Sequence, residues 1–517
     1  MMQITTMTLE QKVGQLICGR FGWDTAERDL AEGRVGSLYG VLGDMESPAA
    51  VAELCNHLQS IAPVPALFVG EQEQGSHRML PRGTEFPAYM ATGATRSPEL
   101  AYEFGRVCAV EARACGFAWV SCPTVDVNIE PSNPIINTRA LGDDPALVSE
   151  LGTATCRAIV DQRGLTCVCH APGHGATTCD SHLRMPTVDR SAEDMWEVEL
   201  APYRAAIPAG AMNLIMTAHV YYPAWEPEPG LPATLSRSVM TGIMRDKLGF
   251  SGVIATDGMS MKAIFDNFSV GEAAVRALEA GCDIQLSPEI EEPTRAIIEA
   301  IETGRISMGW LDAAVGRILE AKRFAGLLDS AVVDPAAAEQ VVGCDEHRAI
   351  AREIARRAVT LLRTEGLPLS PAGRVVVVAT GGDERLLSSV RRYCPSAEGF
   401  DALTQAAEAL AVAATADGII VGLATSVRGY NEESIRGDEA LIGLAAQLVA
   451  TGRHTSLLVL GNPYIAAQVP DAAVCMCTYS DCDVSTDAAV DALFGEFAPT
   501  GRLPVRVSQR YPFGSGV

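Results

Sequence analysis

The chain has 517 residues, more than one hydrophobic core ordinarily supports, so two or more domains are expected. Hydrophobic residues make up 48% and charged residues 20%, a balance that excludes a wholly disordered protein. The formal net charge of -24 argues against a nucleic-acid partner, because a phosphate backbone would be repelled by this surface.

Met1 to Glu10 lacks a basic stretch leading into an apolar core, and no later run has the length of a membrane span, so a membrane partner is not expected. Fifteen cysteines occur without framework spacing. Cys167 with Cys169, and Cys475 with Cys477, alternate inside apolar runs as small buried residues do, which reads as reduced thiols in a cytoplasmic protein.

In chain order, Thr8 to Cys18 has helical apolar spacing, Val35 to Leu42 reads as a buried strand, and Pro65 to Val69 as a second. That second strand empties into Glu71-Gln72-Glu73-Gln74-Gly75, where parallel α/β folds gather their active sites, although a solvated charged turn reads equally well. A helix over Ser97 to Cys115 and a strand over Ala118 to Ser121 come next. The strand runs into Pro123-Thr-Val-Asp126-Val-Asn128. Arg139 lies in a loop before a helix over Pro145 to Gln162.

Thr166 to Cys169 is β-prone, and Pro172, Gly173 and Gly175 stop a helix from following, which predicts a mobile loop carrying His170, His174, Asp180 and His182. A helix is expected over Met195 to Ala209, and a strand over Asn213 to Thr217 ending at His219. A helix over Ser236 to Leu248, a strand over Gly252 to Thr256 ending at Asp257, a helix over Gly271 to Ala280 and a strand over Asp283 to Leu286 complete the series. Such alternation predicts an α/β fold, a (β/α) TIM-like barrel over residues 1–328, for which seven strands are legible. Residues 329–349 read as a linker, and residues 350–517 as an α/β sandwich domain. Its strands are expected at Val375 to Ala379, Gly418 to Leu423, Ser456 to Leu460 and Ala473 to Thr478.

Asp180 and His182 are spaced so that the carboxylate can bind one imidazole nitrogen and leave the other to move a proton. Three histidines with an aspartate could also bind a metal, but neither paired i, i+4 histidines nor a Cys-x-x-Cys spacing supports that, and a structural loop is a further alternative. Asp257, at a strand end before Gly258-Met259-Ser260, could attack an anomeric carbon or simply cap a helix.

Residues 169–182 resemble the Lys-His-Phe-Pro-Gly-His-Gly loop leading to Asp-Ser-His of glycoside hydrolase family 3, in its bacterial β-N-acetylglucosaminidase branch of two-domain type. Phe86 to Thr95, Met216-Thr-Ala-His-Val220, Pro232 to Ser236 and Gly249 to Asp257 are similar to family blocks in the family order. Gly461-Asn-Pro-Tyr464 and Pro499 to Pro504 are similar to its second domain.

The resemblance implies a retaining exo-acting β-N-acetylhexosaminidase working on a small carbohydrate substrate without metal or organic cofactor. Asp257 would be the nucleophile and His182 with Asp180 the acid/base dyad. It places substrate-binding residues at Glu71, Arg139 and His170, with Arg78, His77, His174 and Met259 as further candidate contacts. Where the family has a lysine and an arginine this chain has Cys169 and Met79, so an altered sugar specificity is expected. A phosphorylase using the same residues and a non-catalytic sugar-binding protein are the alternatives.

Overall fold

The computed structural model describes residues 4–40, 45–382, 384–469 and 471–517. Contacts divide the chain into two compact units. The first comprises Met1–Glu85, Ala101–Val127 and Ser149–His347, and the second Phe86–Leu100, Asn128–Val148 and Arg348–Val517. Two segments from within the stretch read as barrel thus pack with the second unit.

The first unit is a closed barrel of eight parallel strands. They are β1 (Ile17–Arg20), β2 (Ser37–Tyr39), β3 (Leu67–Glu71), β4 (Trp119–Ser121), β5 (Leu165–Ala171), β6 (Leu214–Thr217), β7 (Val253–Gly258) and β8 (Ile284–Leu286). Each pairs with the next, and the ring closes where Ile17 and Cys18 lie opposite Gln285 and Leu286. The strand missing from the sequence reading is β1. Its Ile17 continues the helical spacing of Leu9, Val13 and Leu16, yet the helix stops at Gln15.

That helix, Leu9–Gln15, is started by a capping box between Thr8 and Gln11. A helix carried on to Cys18 would withdraw Ile17 and Cys18, both fully buried, from the barrel wall. The expected strand Val35 to Leu42 is shorter, and its Val41 and Leu42 lie outside the described residues. The expected helix Met195 to Ala209 is two short helices, Ala192–Glu197 and Ala201–Ala206, with Pro202 opening the second. Residues 333–347 join the first unit. Asn56 exchanges hydrogen bonds with the Val333 backbone, and Glu111 accepts from Gly343 N and His347 Nδ1 at 2.9 and 2.8 Å.

The second unit is a six-stranded sheet of β9 (Thr360–Thr364), β10 (Val375–Ala379), β11 (Glu398–Asp401), β12 (Gly418–Ala424), β13 (Thr455–Leu460) and β14 (Val474–Cys477). The spatial order is β11-β10-β12-β13-β14-β9, parallel except for β9 against β14. Side chains alternate between two cores as the strand period requires. Val376, Val378, Ile419, Val421, Leu457 and Val459 enter one. Val375, Val377, Ile420, Leu458 and Leu460 enter the other. Burial on both faces is why these central strands are legible as continuous apolar runs. Among the described residues no helix is long and apolar enough to cross a membrane.

Candidate active site

The site is built at the C-terminal ends of the barrel strands, where side chains leave the wall and enter the loops. Asp257, the penultimate residue of β7, is partly exposed, and its Oδ1 accepts the Gly258 N–H at 2.7 Å. It caps no helix: the next helix begins at Lys262 behind Met261. Burial by itself would raise the Asp257 carboxyl. The neighbouring imidazoles of His219 and His170, the Gly258 N–H and His182 outweigh that and hold it below the ordinary carboxylate value, so it is ionised near neutral pH.

β5 delivers His170, and the segment after it delivers the dyad. His182 Nδ1 donates to Asp180 Oδ1 at 2.7 Å, and the same oxygen accepts the His182 backbone N–H at 2.8 Å. Asp180 is buried while the His182 side chain keeps 26% of its surface open. This fixes the ring proton on Nδ1 and makes Nε2 the basic position, on the solvent-reachable member of the pair.

The segment expected to be a mobile loop is buried and cross-braced. Asp126 accepts from His170 Nδ1 at 2.8 Å and from the His174 backbone N–H at 2.6 Å. Burial would raise Asp126, but His170 first and then His174 hold it below its ordinary value. Tyr222, fully buried, donates its hydroxyl to Gly173 O at 2.5 Å. Gly173 has φ +151°, and a Cβ there would meet Glu199 Cβ at 2.7 Å, so no other residue fits.

Of the expected contacts, His174 is 2% exposed and braces the loop. Its Nδ1 faces Thr177 Oγ1 at 2.8 Å and its Nε2 faces Ser181 Oγ at 3.1 Å. Met79 is buried and its sulfur accepts from Glu71 N and Gln72 Nε2 at 3.1 and 3.0 Å. Cys169 turns its thiol to Cys167 O at 3.3 Å. Arg78 is exposed and donates to Gln74 Oε1, while His77 Nδ1 donates to Gln74 O and its Nε2 lies 3.5 Å from Glu85 Oε1. Met259 is buried and its N–H donates to Leu286 O at 2.8 Å. Arg139 lies in a segment of the second unit, where it donates to Ile135 O at 2.8 Å.

Sequence reasoning left three residues unassigned. Asp126 follows β4 and carries the histidine loop, and His219 follows β6 and acts on Asp257. Glu73 follows β3, and its charge reaches the Cys169 thiol together with that of Asp257; both raise that thiol, after its hydrogen bond to Cys167 and its burial. Their common signal is a polar residue in the segment after a barrel strand, close in kind to Asp257 at the end of β7.

Residues 8–321 match the Glycosyl hydrolase family 3 N terminal domain. The chain is a family 3 glycoside hydrolase. It is 31% identical over 363 residues to Beta-hexosaminidase A of Pseudoalteromonas piscicida, a match covering 64% of the chain and 60% of that relative's length. A family 3 β-N-acetylglucosaminidase structure from Paenibacillus sp. str. FPU-7 is similar at TM-score 0.86 and 32% identity, covering 97% of this chain and 99% of that one. A structure of Beta-glucoside phosphorylase BglX bound to 2FGlc is similar at TM-score 0.86 and 25% identity, covering 97% of this chain and 94% of that one.

Proposed function

We propose that this family 3 glycoside hydrolase is a retaining, exo-acting β-N-acetylhexosaminidase, in which Asp257 and the Asp180–His182 pair carry the chemistry. The observation that carries the reading is the dyad: a buried aspartate fixes one nitrogen of a partly open histidine, whose charge bears on a strand-end carboxylate with a favoured ionised form. In the first step an Asp257 oxygen bonds to the anomeric carbon as the bond to the leaving oxygen breaks. Protonated His182 delivers its Nε2 proton to that oxygen. In the second step His182 Nε2 takes a proton from water, the water oxygen bonds to the anomeric carbon, and Asp257 leaves as carboxylate.

Two features bear on the sugar accepted. The side chains at 79 and 169 are uncharged sulfur groups bonded to protein atoms, and Arg78 is occupied with Gln74, so it does not replace a cation at either position. A charged donor to a sugar hydroxyl contributes roughly 1.5–3 kcal/mol. An N-acetylhexosamine that is an epimer, or that carries a substituent there, is therefore expected to compete well with ordinary N-acetylglucosamine. The fifteen cysteine thiols fit a reducing, cytoplasmic setting.

The test is nitrophenol release from aryl β-N-acetylglucosaminides, galacto-configured analogues and substituted hexosaminides by wild type and Asp257→Ala, with and without phosphate. Turnover should fall by about 10⁴-fold or more in the variant. The phosphorylase reading, which the likeness to the phosphorylase structure favours, predicts instead a sugar 1-phosphate when phosphate is present. A folded wild type inactive on every substrate would contradict both.

A further inference from the structure

His219, Thr217 and Thr234 are fully buried in the first unit and form one hydrogen-bonded chain that ends at the backbone of the nucleophile segment. His219 Nε2 lies 3.1 Å from Gly258 O and Nδ1 lies 2.7 Å from Thr234 Oγ1, which is itself 2.7 Å from Thr217 Oγ1. A carbonyl only accepts, so Nε2 carries a hydrogen. Burial holds the His219 imidazole below its ordinary value although Asp257 pulls the other way, so the ring is neutral and Nδ1 is an acceptor. Thr234 Oγ1 also lies 3.1 Å from Ala218 O, but Nδ1 at 2.7 Å is the nearer acceptor, so Thr234 gives its single hydroxyl hydrogen to Nδ1 and receives one from Thr217.

The Gly258–Met259 peptide is thereby held on both sides. His219 binds its carbonyl, and Leu286 O on β8 binds its N–H at 2.8 Å. One residue earlier, the Gly258 N–H binds Asp257 Oδ1 at 2.7 Å. The clamp therefore acts next to the bond that orients the carboxylate. A ring that filled space only would not need a fixed tautomer, a hydroxyl to enforce it and a backbone carbonyl to receive it.

We propose that His219, held as its Nε2–H tautomer by Thr234, is a positioning residue for the Asp257 carboxylate. It touches no substrate atom and acts by fixing the peptide that follows the nucleophile. The inference rests on the reading of Asp257 as nucleophile, and its own evidence is the relay behind it.

The test has two arms. In the rate arm, His219→Phe removes both hydrogen bonds, whereas His219→Gln keeps an N–H that can reach Gly258 O. Thr234→Val removes the donor to Nδ1 and Thr234→Ser restores it. The expected result is a fall in kcat of roughly 100-fold for His219→Phe and roughly 10-fold for Thr234→Val, with KM within about 3-fold and substantial recovery in the Gln and Ser variants.

In the second arm, which needs no activity, protein labelled with ¹⁵N-histidine is read by long-range proton–nitrogen correlation, and the His219 signal is assigned from His219→Gln. The chain has eight histidines, so the spectrum is tractable. The expected tautomer is Nε2–H, with Nδ1 shifted by Thr234→Val. An Nδ1–H tautomer, an Nδ1 signal indifferent to Thr234→Val, or a folded His219→Phe variant with unchanged kcat would overturn the inference. Loss of the nucleophile reading appears separately, as an Asp257→Ala variant that retains turnover.

Discussion

In the proposed mechanism Asp180 and His182 divide one task by their exposure. The aspartate is buried and only accepts, and the histidine is open enough to exchange a proton with a departing or arriving oxygen. A proton donor matters in proportion to how badly the leaving group needs a proton. Replacing His182 with Gln should therefore lower kcat/KM by about 10²–10⁴-fold on a substrate with a poor leaving group, such as a sugar alcohol, and much less on a dinitrophenyl glycoside. Asp180→Asn should show the same leaving-group dependence to a smaller degree. Equal losses on both substrates would contradict a proton-transfer role. The roles proposed for Asp257, Asp180 and His182 start from the sequence, where each belongs to a short recognisable pattern. Asp126 and His219 were not legible there, because an isolated polar residue after an apolar strand becomes meaningful only when the barrel closes and brings its partner from another strand.

At the scale of elements, the strands that stood out were those buried on both faces. β11 escaped because its sequence, Glu-Gly-Phe-Asp, is a polar edge strand with one buried side chain, Phe400. β9 escaped because Arg363 interrupts its apolar run. β1 escaped because Leu16 and Ile17 satisfy helix and strand periodicity alike. The helix Met308–Phe324 carries a lysine on its apolar stripe, in line with Leu311, Val315 and Ile318, where its charge and not its spacing argues for solvent. Lys322 is fully buried, and its Nζ donates to Gln15 Oε1 at 2.6 Å and Gly36 O at 3.0 Å, tying the helix to the residues that lead into β1 and β2.

Burial pushes the Lys322 ammonium down from 10.5 to about 7. Above pH 7 the unfolded chain therefore binds a proton that the folded chain lacks, and folding stability gains with rising pH through the window from about 7 to 10.5; below it both states are protonated and the penalty is constant. Urea unfolding of wild type and Lys322→Met should show the stability difference moving in favour of wild type from pH 7 to pH 10. Parallel pH profiles would contradict a depressed lysine.

At the scale of the molecule, a barrel and a six-stranded sheet each supply their own apolar core, in keeping with the length of the chain. All fifteen cysteines are thiols, fourteen of them buried and Cys344 partly so. A thiol reagent should titrate about one cysteine in the native protein and fifteen after unfolding without reductant. Fewer than fifteen in the unfolded chain would reveal disulfides and contradict a reduced protein. The central claim is that the sugar passes through a bond to Asp257. It is tested most directly by mass spectrometry of protein reacted with an activated fluorinated N-acetylhexosaminide that accumulates the intermediate. The expected result is an added mass of one sugar residue on the peptide containing Asp257, absent from Asp257→Ala. Turnover of that reagent with no adduct, or an adduct on a different carboxylate, would contradict it.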